Sequence, residues 1–312
     1  STPIKSSAAS DVYKRQANIT VPLLGLVDVA ITGHLGNAAY IGAIAVGSMI
    51  FNVVYWVFGF LRMGTSGMAS QAYGRGDTAE ALNLLARGLC AGLTVAGVVL
   101  VLQRPLLTLA LTVIGANADL LPLVNTYFDI CVWGAPAMLC LYALTGWFIG
   151  MQDTRVTMAA SIVQNIVNIV ASLTLVYGFG MKIEGVATGT LIAQYAGLLT
   201  ALAFFVARFG SKIRLIDIRE VVRSEALLRF FNVNRNIFIR TLFIVAVNLF
   251  FVSAGATHGT MTLAVNTLLM QLFTLFSYVM DGFANAGEAL CGKYTGADDR
   301  GAFFATVKRL FA

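Results

Sequence analysis

Residues 184–206 read EGVATGTLIAQYAGLLTALAFFV, and the single formal charge in this stretch of 23 residues, Glu184, stands at its first position. A helix needs about 20 predominantly apolar residues to cross the hydrocarbon core of a bilayer. The residues that follow, 207–235, contain seven Lys or Arg residues. We therefore predict a membrane-spanning helix that ends in a basic connecting segment.

The same alternation of apolar runs and short polar breaks extends through the chain. Eight runs are predicted to be membrane spans, numbered 1 to 8, and a ninth begins near Ala302. The eight cover residues 17–36, 41–62, 84–102, 123–149, 156–177, 184–206, 236–255 and 262–284. Of all residues, 58% are hydrophobic and 12% are charged, whereas soluble domains have about 25% charged residues. The composition excludes a soluble globule and a disordered chain, and predicts an all-α, polytopic transmembrane bundle.

The positive charges lie on one side of this predicted bundle. Thirteen Lys or Arg residues fall in the segments after spans 2, 4, 6 and 8, and only Arg104 and Lys182 fall after the odd-numbered spans. The positive-inside rule therefore places the even connections in the cytoplasm. It also accounts for the net charge of +6 without a nucleic-acid partner. We expect a monomer in the cytoplasmic (inner) membrane, surrounded by lipid.

Motifs for metal binding or covalent chemistry are missing from the sequence. It contains no GxxxxGK[ST], HExxH, GxSxG or CxxC motif, so we expect no catalytic residues, no enzyme activity, no metal and no cofactor. The four cysteines lie in or beside apolar runs and are interpreted as small buried hydrophobic residues. They are Cys90, Cys131, Cys140 and Cys291.

Two segments differ from the spans. Residues 1–16 are polar and resemble a translated sequencing adapter, so we expect them not to belong to the fold; a short cytoplasmic tail is the alternative. Residues 207–235 are interpreted as a cytoplasmic linker between one set of helices, 17–206, and a second set, 236–312. Apolar residues spaced along this basic linker predict an interfacial amphipathic helix within it.

An internal duplication is indicated by two similar segments six spans apart. Residues 67–77 follow span 2 and read GMASQAYGRGD, and residues 287–298 follow span 8 and read GEALCGKYTGAD. Both contain small residues, then an aromatic residue, a glycine turn and an acid. Because six spans return the chain to the same side, the two halves are predicted to be parallel repeats.

Asp28 is the clearest functional candidate. It lies inside span 1 with no basic residue nearby in sequence, and Thr32 shares its helical face one turn later. A charge at mid-span costs about 2.5–3.5 kcal/mol on insertion scales. We interpret Asp28 as a proton- or cation-binding carboxylate; a structural acid near a helix end is the alternative.

Span 5 carries one polar face, with one further polar residue beside it. Ser161, Asn165, Asn168 and Ser172 recur at helical spacing, with Gln164 adjacent. Such a face is interpreted either as the wall of a cavity or as a set of hydrogen bonds between helices.

Span 8 and its cytoplasmic end carry a second group, Asp281, Asn285 and Glu288, and Arg240 lies early in span 7. Two readings stay open for this group. One is an ion pair of Arg240 with either acid that fixes two helices. The other is a second titrating site or part of a substrate cavity.

Three motifs together resemble the multidrug and toxic compound extrusion (MATE) transporters, specifically the DinF-like branch. The first is residues 18–28 (NITVPLLGLVD) with 33–36 (GHLG), the second is residues 165–170 (NIVNIV), and the third is residues 281–284 (DGFA) with Glu288 and Ala289. The resemblance extends in order over residues 17–312.

The resemblance implies a fold of two six-helix lobes around a cleft. Here that gives one complete lobe and part of a second, and therefore a truncated fragment. It further implies a bacterial secondary antiporter that exports small organic compounds in exchange for H⁺ or Na⁺ as coupling ion. Asp28 corresponds to the N-lobe carboxylate, and Asn168 to a polar partner of it. Ser172 departs from the family pattern, because related transporters often have an acid there.

Other functions remain as alternatives. One is a flippase for lipid-linked precursors, although the first six spans contain almost no Lys or Arg for binding a pyrophosphate. Another is an exporter of organic acids such as citrate. A membrane enzyme or a receptor-like binding protein belongs to a different class, and no motif in the sequence supports it.

Overall fold

The computed structural model describes residues 38–114, 118–257 and 260–311, and within those ranges it contains helices and turns but no strand. Twelve α-helices, α1 to α12, make up this part of the chain. They are Ala38–Val57, Phe60–Gly74, Thr78–Val101, Gln103–Ile114, Leu121–Cys131, Ala135–Gly150, Thr154–Leu173, Ile183–Phe209, Ile218–Val221, Ser224–Thr257, Thr260–Gly296 and Arg300–Phe311.

Six helical segments are long and apolar enough to cross a membrane. They are Ala39–Gly74, Thr78–Val101, Leu121–Gly150, Thr154–Gly178, Ile183–Leu215 and Ser224–Val247. Predicted spans 2 to 7 each correspond to one of them. Span 1 lies outside the described residues, and span 8 lies in α11. The predicted fold class, an all-α polytopic bundle, is confirmed.

Two elements differ from the sequence-based prediction. Helix α4, Gln103–Ile114, occupies part of the segment between spans 3 and 4, where no helix was predicted. Its 12 residues are too few to cross a bilayer, so a search for spans misses it. Helix α10 begins at Ser224, so the end of the predicted linker is helical and continuous with span 7. Within the predicted linker a further helix, α9, covers Ile218–Val221, and its predicted interfacial position stays a prediction.

Two of the spans are broken into segments. Phe58 and Gly59 separate α1 from α2. A 3₁₀ turn over Val132–Gly134 separates α5 from α6. Pro136, in the first turn of α6, lacks the N–H that an uninterrupted helix would use there, which explains the break at this point.

Helix α6 is the centre of the described bundle, because it packs against α2, α3, α7 and α8. Trp147 and Phe148 are completely buried on it, and the Trp147 indole donates a hydrogen bond of 2.6 Å to the Ala81 carbonyl of α3. Glycines allow α2 to approach closely. A Cβ added at Gly146 would lie 3.0 Å from Arg62 Cα, and one at Gly150 would lie 2.6 Å from the Ser66 carbonyl oxygen.

Helices α2 and α11 cross at the end of the bundle that the charge distribution assigns to the cytoplasm. A Cβ at Gly74 would lie 2.9 Å from the Lys293 carbonyl carbon, and one at Gly296 would lie 2.8 Å from the Gln71 carbonyl carbon. Between these contacts, a Cβ at Gly292 would lie 2.9 Å from Ser70 Cβ. The backbones therefore approach each other through small residues, as in close helix pairs in membranes.

The turns that follow these two helices have the same geometry. Asp77 N–H donates to the Ala72 carbonyl and Asp299 N–H to the Tyr294 carbonyl, each at 3.0 Å. The residues before these acids, Gly76 and Asp298, both have positive φ, 74° and 52°. The two acids cap the next helix in the same way, since Asp77 Oδ1 accepts from Glu80 N–H and Asp299 Oδ1 from Ala302 N–H, both at 2.9 Å.

This equivalence makes the crossing reciprocal. In the alignment set by the two turns, Gln71 corresponds to Lys293 and Gly74 to Gly296. Gly74 contacts Lys293 and Gly296 contacts Gln71, which is the pattern of a contact across a two-fold axis. The axis passes near Ser70 and Gly292, the remaining matched pair. The geometry is the one that parallel repeats require.

Candidate functional site

The polar face of span 5 lies on α7 and is directed in part at α8. Asn168 is 1% exposed, and its amide Nδ2 donates a hydrogen bond of 3.1 Å to Thr190 Oγ1. Ser172 is completely buried against Gly189, because a Cβ at Gly189 would lie 2.8 Å from the Ser172 backbone nitrogen. These two residues therefore contribute to packing between helices, one of the two readings of this face.

The other three residues of this predicted polar face, Ser161, Gln164 and Asn165, are half-buried. Gln164 Oε1 lies 3.0 Å from the position of a Cβ at Gly197, again on α8. Ser161 donates to the Thr157 carbonyl of its own helix at 3.0 Å. Asn165 lies between these residues and the buried pair. The structure thus brings all five polar residues into one continuous patch along α7 and its contact with α8.

Three side-chain atoms of this patch have unused hydrogen-bonding capacity. Asn165 Nδ2, Asn168 Oδ1 and Ser172 Oγ are buried and have no hydrogen-bond partner among the described residues. A buried polar atom without a partner costs about 1–3 kcal/mol. The patch is therefore suited to a further polar or ionic group. Asp28 and Thr32, the predicted residues of span 1, lie outside the described residues.

The predicted residues of spans 7 and 8 are less buried than the polar patch on α7. Asp281 is exposed, while Asn285 and Glu288 are half-buried. Glu288 reaches α2, where its Oε1 lies 3.4 Å from the position of a Cβ at Gly67. Arg240 is exposed, and its Nη2 lies 3.4 Å from Met63 Sδ.

No direct ion pair joins Arg240 to Asp281 or Glu288 among the ion pairs of the described residues. Instead both carboxylates interact electrostatically with Arg240 and, more strongly, with Arg62 at the start of α2. The structure therefore brings two acids and two arginines together at the junction of α2, α10 and α11. A direct ion pair of Arg240, one of the two open readings, is not present among the described residues.

Three further residues, Arg62, Tyr55 and Gln194, were not singled out from the sequence. Arg62 was counted only as a loop charge, and a cation at the junction of two spans is visible only once α2 and α11 are brought together. Tyr55 and Gln194 are both buried, at 7% exposure each, with the Tyr55 hydroxyl beside the Gln194 side chain. They come from α1 and α8, so no sequence motif joins them.

Comparison with known proteins identifies the family. The sequence model of the MatE family matches residues 16–174, a range that contains Asp28, Thr32 and the polar face of α7. The chain belongs to the MatE family. The family resemblance inferred from the three sequence motifs is therefore confirmed.

MatE-family relatives match most of the chain. It is 36% identical over 285 residues to DNA damage-inducible protein F of Escherichia coli (strain K12), covering 91% of this chain and 62% of that protein. It is 24% identical to DETOXIFICATION 44, chloroplastic, of Arabidopsis thaliana, covering 86% of this chain and 53% of that protein. The chain thus spans about half to three fifths of the length of these relatives.

Solved MatE-family structures share the fold. An outward-facing multidrug resistance MATE transporter superposes with a TM-score of 0.85 at 19% identity, covering 99% of this chain and 69% of the other. A mutant of the Vibrio cholerae MATE transporter VcmN gives 0.80 at 20% identity, covering 98% and 69%. These names describe transporters and not enzymes, in agreement with the prediction that this chain is not an enzyme.

Proposed function

We propose that this protein is a secondary active antiporter of the bacterial cytoplasmic membrane that exports small organic compounds in exchange for H⁺ or Na⁺. The observation that carries the proposal is the MatE family match over residues 16–174. Relatives named as a multidrug export protein of Staphylococcus aureus and as a MATE transporter of Vibrio cholerae support export as the activity. We further propose that it acts as a monomer and needs no cofactor besides the coupling ion.

Alternating access is the proposed mechanism. In the described structure, the end of the bundle assigned to the cytoplasm is closed where α2 crosses α11, through Ser70 and Gly292 and the glycines on either side. The contact is reciprocal and is made by small residues, so the two halves can separate there with little loss of buried side-chain area. Separation at this crossing would open a path from the cytoplasm to the residues between the lobes.

The proposed ion site is formed by Asp28 with Asn165, Asn168 and Ser172. The three unpaired polar atoms on the α7 patch support it, since they supply an N–H donor, a carbonyl acceptor and a hydroxyl. Protonation or cation binding would remove the charge of Asp28 and allow span 1 to repack against α7. Ser172 would contribute a neutral oxygen, so Asp28 would be the only carboxylate among these four residues.

The proposed substrate cavity lies between the lobes. It would combine Thr32, Ser161 and Gln164 from the first lobe with Asp281, Asn285, Glu288 and Arg240 from α10 and α11. The two carboxylates at this junction support binding of cationic organic compounds, because neither is neutralised by a direct ion pair among the described residues.

Replacement of Asp28 by Asn in the full-length protein tests the proposal. We expect loss of drug resistance in cells that depend on this transporter, with an unchanged amount of protein in the membrane, because Asn cannot take up a proton or neutralise a cation. Asp119→Asn is the matched control, since Asp119 is exposed in a turn of the same lobe. Wild-type resistance in the Asp28 variant would contradict the proposal.

A further inference from the structure

A cavity of about 330 Å³ lies at the end of the bundle assigned to the cytoplasm. Three parts of the chain enclose it: the end of α2, the first half of α3, and the segment from α9 into α10. Four arginines and three glutamates line it. The arginines are Arg75, Arg87, Arg223 and Arg229, and the glutamates are Glu80, Glu220 and Glu225.

Two of the arginines, Arg87 and Arg223, form ion pairs with the three glutamates. Arg87 is 3% exposed and forms an ion pair of 2.8 Å with Glu80. Its other nitrogens donate to the carbonyl oxygens of Glu220 and Val221 at 2.8 and 3.3 Å. Arg223 forms ion pairs with Glu225 at 3.1 Å and with Glu220 at 3.4 Å. Each carboxylate of the cavity therefore has an arginine partner, and these three acids with two arginines sum to a charge of −1.

Arg75 and Arg229 are the two remaining arginines of the cavity. Neither forms an ion pair within the part of the chain that the structure describes, and both line the cavity. Arg75 directly follows α2 and Arg229 lies in α10, so two guanidinium groups without a direct ion pair stand on separate walls, and the four arginines and three glutamates of the cavity sum to +1. Guanidinium groups favour phosphate oxygens, to which they donate several charge-assisted hydrogen bonds.

Exposed apolar side chains beside the cavity indicate a position at the membrane surface. Ile218 and Val222, which flank the wall segment of α9, are 75% and 60% exposed, and Leu215 just before them is 48% exposed. Exposed apolar residues on a basic segment are typical of a chain that lies in the headgroup region, with its apolar side toward the acyl chains. The neighbouring guanidinium groups then lie at the level of the lipid phosphates.

We propose that this cavity binds the phosphate group of an anionic phospholipid of the cytoplasmic leaflet, between Arg75 and Arg229. The shared chemistry is that of a phosphate oxyanion, and the exposed apolar residues of the linker favour a lipid over free phosphate as its source. A bound headgroup would join the end of α2, in the first lobe, to α10, which begins the second.

The test is a titration of the purified full-length protein with phosphatidylglycerol, phosphatidylcholine and inorganic phosphate in separate arms, with the bound fraction measured by native mass spectrometry. We expect saturable binding of phosphatidylglycerol and none of the other two. Arg75→Gln and Arg229→Gln should each weaken it about fivefold, and the double variant about 30-fold, since each variant removes direct guanidinium hydrogen bonds to the phosphate that contribute about 1 kcal/mol.

The matched control is Arg214→Gln with Arg219→Gln. It removes the same charge from exposed positions of the same linker that do not line the cavity, and should change the affinity less than twofold. Equal weakening by both double variants would overturn the proposal, because the effect would then be one of overall charge. Equal binding of phosphatidylcholine, or displacement of the lipid by inorganic phosphate alone, would also overturn it. If the double variant does not fold, the single variants and the lipid and phosphate titrations of the wild-type protein still show whether the cavity binds the phospholipid.

Discussion

Asn168 and Arg87 show how buried polar residues are used in the described part of this bundle. Asn168 joins α7 to α8 through Thr190 Oγ1, while one of its side-chain atoms is unpaired there. In Arg87, by contrast, Nε, Nη1 and Nη2 each donate a hydrogen bond to a protein oxygen, and two of these bonds join α3 to the linker. Helical periodicity predicted the polar face that contains Asn168, but its partner comes from another helix and could not be predicted. Arg87 was expected only as a cytoplasmic charge, because a buried ion pair depends on how the linker folds back.

Thr190→Val tests the bond between α7 and α8. Removal of Oγ1 leaves the Asn168 amide without this acceptor, and we expect a loss of about 1 kcal/mol in the free energy of unfolding. The measurement is unfolding of the purified protein in detergent. Thr200→Val on the same helix is the control, because Thr200 Oγ1 bonds only to the Ala196 carbonyl of its own helix. Equal destabilisation by both variants would show that the bond to Asn168 contributes nothing.

Arg87→Gln tests the attachment of the linker. Loss of the ion pair to Glu80 and of two bonds to linker carbonyls is expected to cost about 2 kcal/mol locally, and therefore to raise the rate of tryptic cleavage after Arg219 and Arg223 more than tenfold. Arg155→Gln, an exposed arginine on α7, should leave the cleavage rate unchanged. An unaltered cleavage pattern in the Arg87 variant would mean that other contacts hold the linker.

At the scale of elements, the crossing of α2 and α11 is the contact on which the proposed mechanism depends. Two helices can approach this closely only where side chains are small. The sequence shows that segments 67–77 and 287–298 are rich in small side chains, but it does not show that the two segments face each other.

The spans themselves were predictable, because 20-residue apolar runs have few alternative structures in a membrane. Helix α4 and the start of α10 were not, because a short apolar helix and a basic helical extension leave no comparable signal.

Gly292→Val tests this crossing. The new side chain would lie 2.9 Å or less from Ser70 atoms, so we expect the cytoplasmic end to remain partly open. The measurement is maleimide labelling of a single cysteine introduced at Ser66, which is 1% exposed, in a background without the native cysteines. Labelling should rise by roughly an order of magnitude, as expected for a contact that no longer closes.

The control for this variant is Gly97→Val. Gly97 is exposed on α3, and a Cβ there meets nothing within 4 Å, so the substitution adds the same volume without touching the crossing. Labelling at position 66 that stays low in the Gly292 variant would contradict the assignment of this contact as the cytoplasmic closure.

At the scale of the whole molecule, the duplicated turns and the reciprocal crossing relate the two halves of the chain. The family, the fold class and the relation of span 2 to span 8 were all accessible from sequence, since they depend on composition, charge distribution and local motifs. The arrangement at the junction of the halves was not accessible. Arg62, Asp281 and Glu288 meet there only because α2 crosses α11, and the arginine-lined cavity forms only because the linker folds against α3.

The most direct test of ion-coupled export is flux in proteoliposomes that contain the full-length protein, with an imposed H⁺ or Na⁺ gradient and a panel of organic cations beginning with ethidium. We predict that at least one of the two gradients drives uphill movement of a panel compound by the wild-type protein, and that Asp28→Asn abolishes this movement while Asp119→Asn does not. Flux that is independent of both gradients, or equal flux in the Asp28 variant, would contradict the proposed mechanism.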